Sequence, residues 1–276
     1  FVIYHRQETR RASDSRTGTM NDPTAPSPAV EAPPPELANP APPPPSSSHR
    51  LWPAWAEIVL CSGYPTQIVI GQVLVSAGLR PTLPDGSLSS TFVFALSLVD
   101  TVALLTLIAV FLQRNGEQPA DVLFGRRPPG PEIAAGFFSL PLVLSALIAV
   151  TVLVRRFAPW LHNVPDNPLE GLIGSGANVW MFLLVVIVAG GVREELQRAF
   201  LLHRFRASLR MPWLGLAITS TAFGLGHTLQ GLDAALMTGT LGFIWGAMFL
   251  ARGSALAPMV SHSLFNSGEL LRIFTG

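Results

Sequence analysis

The sequence predicts an all-α, polytopic transmembrane helix bundle of about seven spans, preceded by a disordered, proline-rich N-terminal arm. Three observations carry that prediction. Of the 276 residues, 49% are hydrophobic and only 13% charged, with a mean hydropathy of +0.42, whereas soluble domains carry roughly 25% charged residues. From Leu51 onward the chain is a series of long apolar runs, each near the roughly 20 residues a helix needs to cross the hydrocarbon core. The runs lack strand alternation, and lipid forces backbone groups to pair internally. An ordinary cytosolic enzyme is therefore not expected.

The elements follow in order. Residues 1–50 hold eleven of the 25 prolines, between Pro23 and Pro45, mixed with Ala, Ser and Glu. Such a stretch buries too little apolar surface to offset its ordering entropy, so it is expected to be an extended, disordered arm. Residues 51–276 form the membrane-embedded domain. Candidate spans lie near 54–79, 91–113, 132–154, 174–203, 212–230, 231–250 and 254–273, separated by polar or Gly/Pro-rich stretches such as Arg126-Arg-Pro-Pro-Gly130. Residues 117–131 read as a short interfacial segment. With seven spans, the side of the N-terminal arm carries Arg50, Arg114, Arg126, Arg127, Arg204, Arg206, Arg210 and Arg252, against Arg80, Arg155, Arg156 and Arg272 opposite. The positive-inside rule then places the arm in the cytoplasm.

Charge excludes several chemistries. The 18 basic and 17 acidic residues nearly cancel, so no nucleic-acid partner is expected. Every basic residue is Arg, which rules out lysine Schiff-base chemistry. Cys61 is the one cysteine, so no internal disulfide forms.

What stands out is polarity where lipid should exclude it. A charge at mid-span costs roughly 2.5–3.5 kcal/mol on insertion scales. Yet the fourth span reads Gly190-Gly-Val-Arg-Glu-Glu-Leu-Gln-Arg198, the fifth carries Phe223-Gly-Leu-Gly-His227, and the last carries His262-Ser-Leu-Phe-Asn266. Glu194/Arg198, Phe223/His227 and His262/Asn266 are each four residues apart, a spacing that stacks both members on one helix face. Measured from the turn near Arg210–Met211, Glu194 and His227 each lie about 25 Å along antiparallel helices. His262 and Asn266 lie about 15–20 Å from the turn near Arg252. Glutamate, both histidines and the asparagine are expected to converge at one depth, which places the catalytic core in 174–273.

Such a cluster can hydrolyse an amide. A carboxylate and an imidazole sharing a water make it a nucleophile, and a second imidazole with an amide can donate to the developing oxyanion. Alternatively, His227, His262 and Glu194 match the two-histidine, one-carboxylate ligand set of catalytic zinc. Residues alone leave both chemistries open. Glu57 and Asp100 read as helix-packing acids, Phe223 as packing, and His162 and His203 as solvated. The pairs Gly190-Gly191 and Gly224/Gly226 are expected to allow close helix approach.

The three motifs, in this order on late membrane helices, resemble the CPBP family of intramembrane proteases. That family includes the CAAX prenyl endopeptidases and the bacterial Abi and bacteriocin-processing proteins. Its pattern is Glu-Glu-x-x-x-Arg, Phe-x-x-x-His and His-x-x-x-Asn; here the second and third are complete. Gly253–His262 and the stretch Asp121-Val-Leu-Phe-Gly-Arg-Arg-Pro128 also look familial, and the likeness covers roughly residues 117–270. The first motif departs: after Glu194-Glu195 the arginine, Arg198, comes one position early, so either glutamate can take the base position. The resemblance implies that one glutamate activates water with His227 and that His262 and Asn266 bind the oxyanion. It also implies a membrane-associated peptide or protein substrate, of which a C-terminal CAAX-like tail is one form. Glu194 is the expected base, with Arg198 as its positioning partner; pairing of Arg198 with Glu195 is the alternative. Two other classes compete: a catalytically silent binding or immunity protein on the same fold, which the altered first motif keeps open, and a transporter. The repeat symmetry a transporter would show is absent from the sequence.

Overall fold

A computed structural model describes residues 51–165, Leu172 and 179–275; the N-terminal arm lies outside the described residues. All of these belong to one unit, Ser48–Gly276. The fold class is as expected: the described residues form helices and no strand, with a single bridge between Thr82 and Leu88.

The first predicted span is broken. α1 (Leu51–Leu60) and α2 (Tyr64–Ser76) meet at a bend of 43°. Gly63 makes the break possible, because its φ of +89° is a left-handed conformation open chiefly to glycine, and Pro65 in the first turn then restarts the helix. α3 (Ser90–Arg114) is a single 25-residue rod whose first turn is capped by Ser89, which accepts from the Phe92 amide. The interfacial segment appears as α4 (Pro119–Leu123). α5 (Pro129–Phe138) and α6 (Leu140–Phe157) run on as one apolar stretch of 29 residues.

The fourth predicted span contains an element the sequence did not announce. α7 (Val179–Val185) passes into a π-helical stretch, Val186–Arg193, before α8 (Glu194–Ala207); positions 174–178 lie outside the described residues. α9 (Pro212–Leu225) stops five residues short of its predicted end at 230, and a turn through His227 and Thr228–Gln230 leads into α10 (Leu232–Arg252). α11 (Leu256–Thr275) closes the described chain. Among the described residues, three segments are long and apolar enough to cross a membrane, or four with the bent α1–α2 pair. The other three predicted spans miss that standard for physical reasons. The fourth carries the charges Arg193–Arg198, α9 spans only about 21 Å, and α11 carries His262, Asn266, Glu269 and Arg272.

These polar helices are sheltered by the rest. α8 is buried on nearly every face, with Phe200, Leu202 and Phe205 fully enclosed together with Leu216 of α9 and Phe249 of α10. Exposed apolar side chains such as Val102, Leu142 and Ile148 look outward from α3 and α6, as lipid contact requires. α11 lies against the π-helical stretch, and glycines set that distance: a Cβ on Gly191 would stand 1.9 Å from Ser263 Oγ and 2.9 Å from its Cα.

The isolated acids prove to be paired. Glu57 meets Arg204 Nε at 2.6 Å and accepts from Asn115 at 2.9 Å. Asp100 accepts from Arg193. His203, expected to be solvated, is instead part-buried, with Nε2 2.5 Å from Glu117 Oε1, and Arg204 reaches the other Glu117 oxygen. The reason is that the charged end of α8 tucks against the turn after α3. Partial burial works to raise the Glu117 pKa, but the hydrogen bonds from His203 and Arg204 outweigh it and hold the carboxyl below its usual range. His162 is half exposed yet bonds Asp233 at 2.7 Å.

A further pair went unread in the sequence. Glu132, 1% exposed, receives both Arg252 Nε (2.7 Å) and Nη2 (2.8 Å), tying α5 to the α10–α11 corner. Arg252→Ala is expected to lower stability by about 3 kcal/mol, because it leaves a buried carboxylate with only the half-exposed Arg127, 3.9 Å away, as a counter-charge. Thermal unfolding in detergent checks this, and an unchanged midpoint would show the pair to be idle.

Candidate active site

The six residues picked out by motif lie on three elements that converge. Glu194 and Glu195 open α8, Arg198 follows one turn later, His227 stands in the turn beyond α9, and His262 and Asn266 lie on α11.

The two glutamates have different surroundings. Glu195 is 1% exposed; its Oε1 accepts from Arg198 and lies 2.8 Å from His262 Nδ1. This corrects the expected pairing: Arg198 binds Glu195 at i,i+3, not Glu194 at i,i+4. Both spacings share a helix face, so tertiary neighbours decide. Trp245 of α10 stacks on His262, with ring centroids 3.8 Å apart and planes 17° from parallel. Its indole N–H donates to Ser261 Oγ at 3.1 Å. Phe223 lies under the Arg198 guanidinium at 4.5 Å and meets the rings of His227 and His262 edge-on at 4.9 and 6.1 Å. It is thus the aromatic wall between the two histidines, a larger part than the packing role read from the sequence.

Glu194 faces open space. A cavity of about 290 Å³ lies between α8, α9 and the α1–α2 break, lined by Glu194, Arg198, Gln197, Phe223, His227 and Tyr64 among others. Glu194 Oε2 is 3.9 Å from His262 Nε2, and its Oε1 is 3.9 Å from Arg193 Nη1. His227 Nδ1 lies 2.9 Å from the Phe223 carbonyl. A carbonyl only accepts, so Nδ1 carries the proton, and the neutral ring keeps its lone pair on Nε2. Glu195, His262 and Asn266 do not line this cavity. Asn266 Nδ2 donates to the Val186 carbonyl at 3.3 Å and packs on Gly190.

The same geometry tests a metal. Three ligands must converge with free electron pairs, but the described residues contain no group of three or more His, Cys, Asp or Glu side chains able to hold an ion. His227, His262 and Glu194 therefore do not fit zinc in this arrangement.

Sequence reasoning missed Trp245, Gln197 and Tyr64. Gln197 donates to the Cys61 carbonyl at 2.9 Å and Tyr64 OH to the Ala222 carbonyl at 2.7 Å, so both brace the cavity wall at the α1–α2 break. Asp100 was legible as a buried acid but not as the partner of Arg193. Nothing in the apolar text of α10 distinguishes Trp245 from packing.

Residues 175–268 match the model of the family described as type II CAAX prenyl endopeptidase Rce1-like, about a third of the chain. No curated protein and no solved structure gives a significant match.

Proposed function

We propose, from the match of residues 175–268 to the type II CAAX prenyl endopeptidase family model, that this integral membrane chain is an endopeptidase of that type in which Glu194 and His227 activate the hydrolytic water. One observation carries the choice of Glu194. It shares a cavity wall with His227, while Glu195 is held behind it by Arg198 and His262. In this reading Glu194 takes a proton from water and His227 Nε2 accepts the other water hydrogen, orienting the oxygen toward the scissile carbonyl. The water oxygen bonds to the carbonyl carbon, and the proton on Glu194 passes to the leaving amine as the C–N bond breaks. The second water proton leaves the new carboxyl group through His227 Nε2 and ends on the released amine, so that a carboxylate and an ammonium result.

Arg198 and Glu195 fix His262. Protonated on both nitrogens, His262 would keep Nδ1–H on Glu195 and direct Nε2–H toward the developing oxyanion from behind Glu194, whose Oε2 is 3.9 Å away and which itself lines the cavity, with Asn266 setting the position of α11 against the π-helical stretch. The substrate is proposed to be a membrane-associated protein with a prenylated C-terminal tail, entering between the α1–α2 break and α9. The N-terminal arm is proposed to be cytoplasmic, on the arginine bias.

The test is cleavage, in proteoliposomes, of a farnesylated tail peptide beside an unprenylated membrane-anchored peptide. His227→Ala is expected to lower kcat by about 10²–10⁴-fold without shifting the unfolding midpoint, since its side chain makes no buried ion pair. Full activity in that variant would overturn the assigned role. No cleavage of either peptide by folded wild-type protein would favour a silent binding protein. The feature that favours this second reading is Arg193, which takes the place of the first glutamate when the family pattern is aligned on Arg198 rather than on the Glu194-Glu195 pair.

A further inference from the structure

A second cavity adjoins the first. It measures about 110 Å³ and is lined by Gln67 of α2, Ser97 and Asp100 of α3, Ala189 and Arg193 of the π-helical stretch, and Glu194. At about 30 Å³ per molecule in the liquid it has room for about three waters. Its wall is polar in a way that apolar helices do not explain. Asp100 and Arg193 are 2% and 6% exposed and bond each other. Even so, Asp100 Oδ1 and Arg193 Nε remain buried with no hydrogen bond to any protein group. A buried polar atom without a partner costs about 1–3 kcal/mol, so the two atoms are complementary to water. Glu194, Arg193 and Gln67 line both cavities.

We propose that this chamber between α2, α3 and the π-helical stretch is the water store of the site. Asp100 and Arg193 hold ordered water there, and Glu194, standing in both cavities, draws the nucleophile from it. Hydrolysis inside a bilayer needs water on the side of the base that the substrate does not cover. The larger cavity, with its apolar wall of Ile58, Leu201, Phe205 and Ile218, suits an acyl or isoprenyl-bearing peptide and is closed to bulk water once occupied. The chamber supplies the other approach. Asp100 is a positioning residue in this scheme: by pairing with Arg193 it keeps that cation, 3.9 Å from Glu194, from closing onto the carboxylate. The inference rests on Glu194 as the base.

Two independent measurements test it. In a Cys61→Ala background, Ser97→Cys is compared with Val99→Cys, two residues away on the exposed face of α3, for labelling by a charged, water-soluble thiol reagent in proteoliposomes. Labelling of position 97 about tenfold faster than position 99 is expected, because the thiolate that reacts forms in water and not in lipid. Equal, slow labelling would overturn the chamber, and this readout needs no catalytic activity. Separately, Ser97→Leu fills the chamber, and its only lost tie is the hydrogen bond to the Val93 carbonyl within its own helix. It is expected to lower kcat by about a hundredfold with KM unchanged, and Ala189→Val, a smaller filling, to lower it less. Unchanged kcat in Ser97→Leu would overturn the water-supply role even if the chamber is wet. A rise in KM alone would overturn it too, by assigning the chamber to substrate. If wild type cleaves nothing, the peptidase reading falls while the labelling result still decides the chamber.

Discussion

Glu194→Gln and Glu195→Gln are expected to fail in opposite ways. The first neutralises a carboxylate that faces the larger cavity and, among the described residues, has its nearest charged atoms 3.9 Å away. Cleavage should fall by about 10²–10⁴-fold, with the unfolding midpoint close to wild type. The second leaves Arg198, 4% exposed, without its counter-charge. Stranding one member of a buried pair costs about 3–5 kcal/mol, so Glu195→Gln should unfold at distinctly lower temperature and lose activity as a consequence. Measuring kcat and thermal unfolding on both variants separates the roles. A stable, inactive Glu195→Gln beside an active Glu194→Gln would exchange them.

The second large effect is steric. Gly191→Ala would place a methyl group 1.9 Å from Ser263 Oγ and 2.8 Å from its Cβ. Real carbon contacts do not reach such distances, so α11 must move away from the π-helical stretch. Overpacking costs about 1–3 kcal/mol, but the functional loss should exceed what that implies. Ser263 adjoins His262, and a shift of about 1 Å in a reacting group can cost about 10²-fold in rate. Gly130→Ala, whose new Cβ would meet nothing within 4 Å, is the matched control and should leave activity intact. Equal behaviour of the two variants would remove the close approach from the argument.

Much of this was legible in the sequence because lipid punishes polarity. Hydropathy placed α3, the α5–α6 stretch and α10 within a few residues, since a long apolar rod has few other uses. Charges and histidines embedded in the remaining runs marked the candidate site for the same reason. The losses occurred where tertiary contacts choose between local equals. Positions i,i+3 and i,i+4 are equally good neighbours on a helix, so the sequence could not tell whether Arg198 holds Glu194 or Glu195; His262, stacked under Trp245, settles it from other helices. The π-helical stretch has no composition of its own, as Val, Ile, Ala and Gly also build ordinary helix. Asp100 and Glu57 looked solitary because their arginines, Arg193 and Arg204, lie far along the chain.

His262 meets Glu195 across 67 positions of chain. During synthesis, the glutamates, Arg198 and the cavity-facing turn at His227 are therefore made and membrane-inserted well before α11 leaves the ribosome. Until it does, Glu195 has Arg198 alone, Trp245 has no imidazole to stack on, and Gly190–Gly191 face no helix. The nascent chain is thus without a finished site until α11 packs against the π-helical stretch. Competence arrives in one late step, with the seating of a single helix.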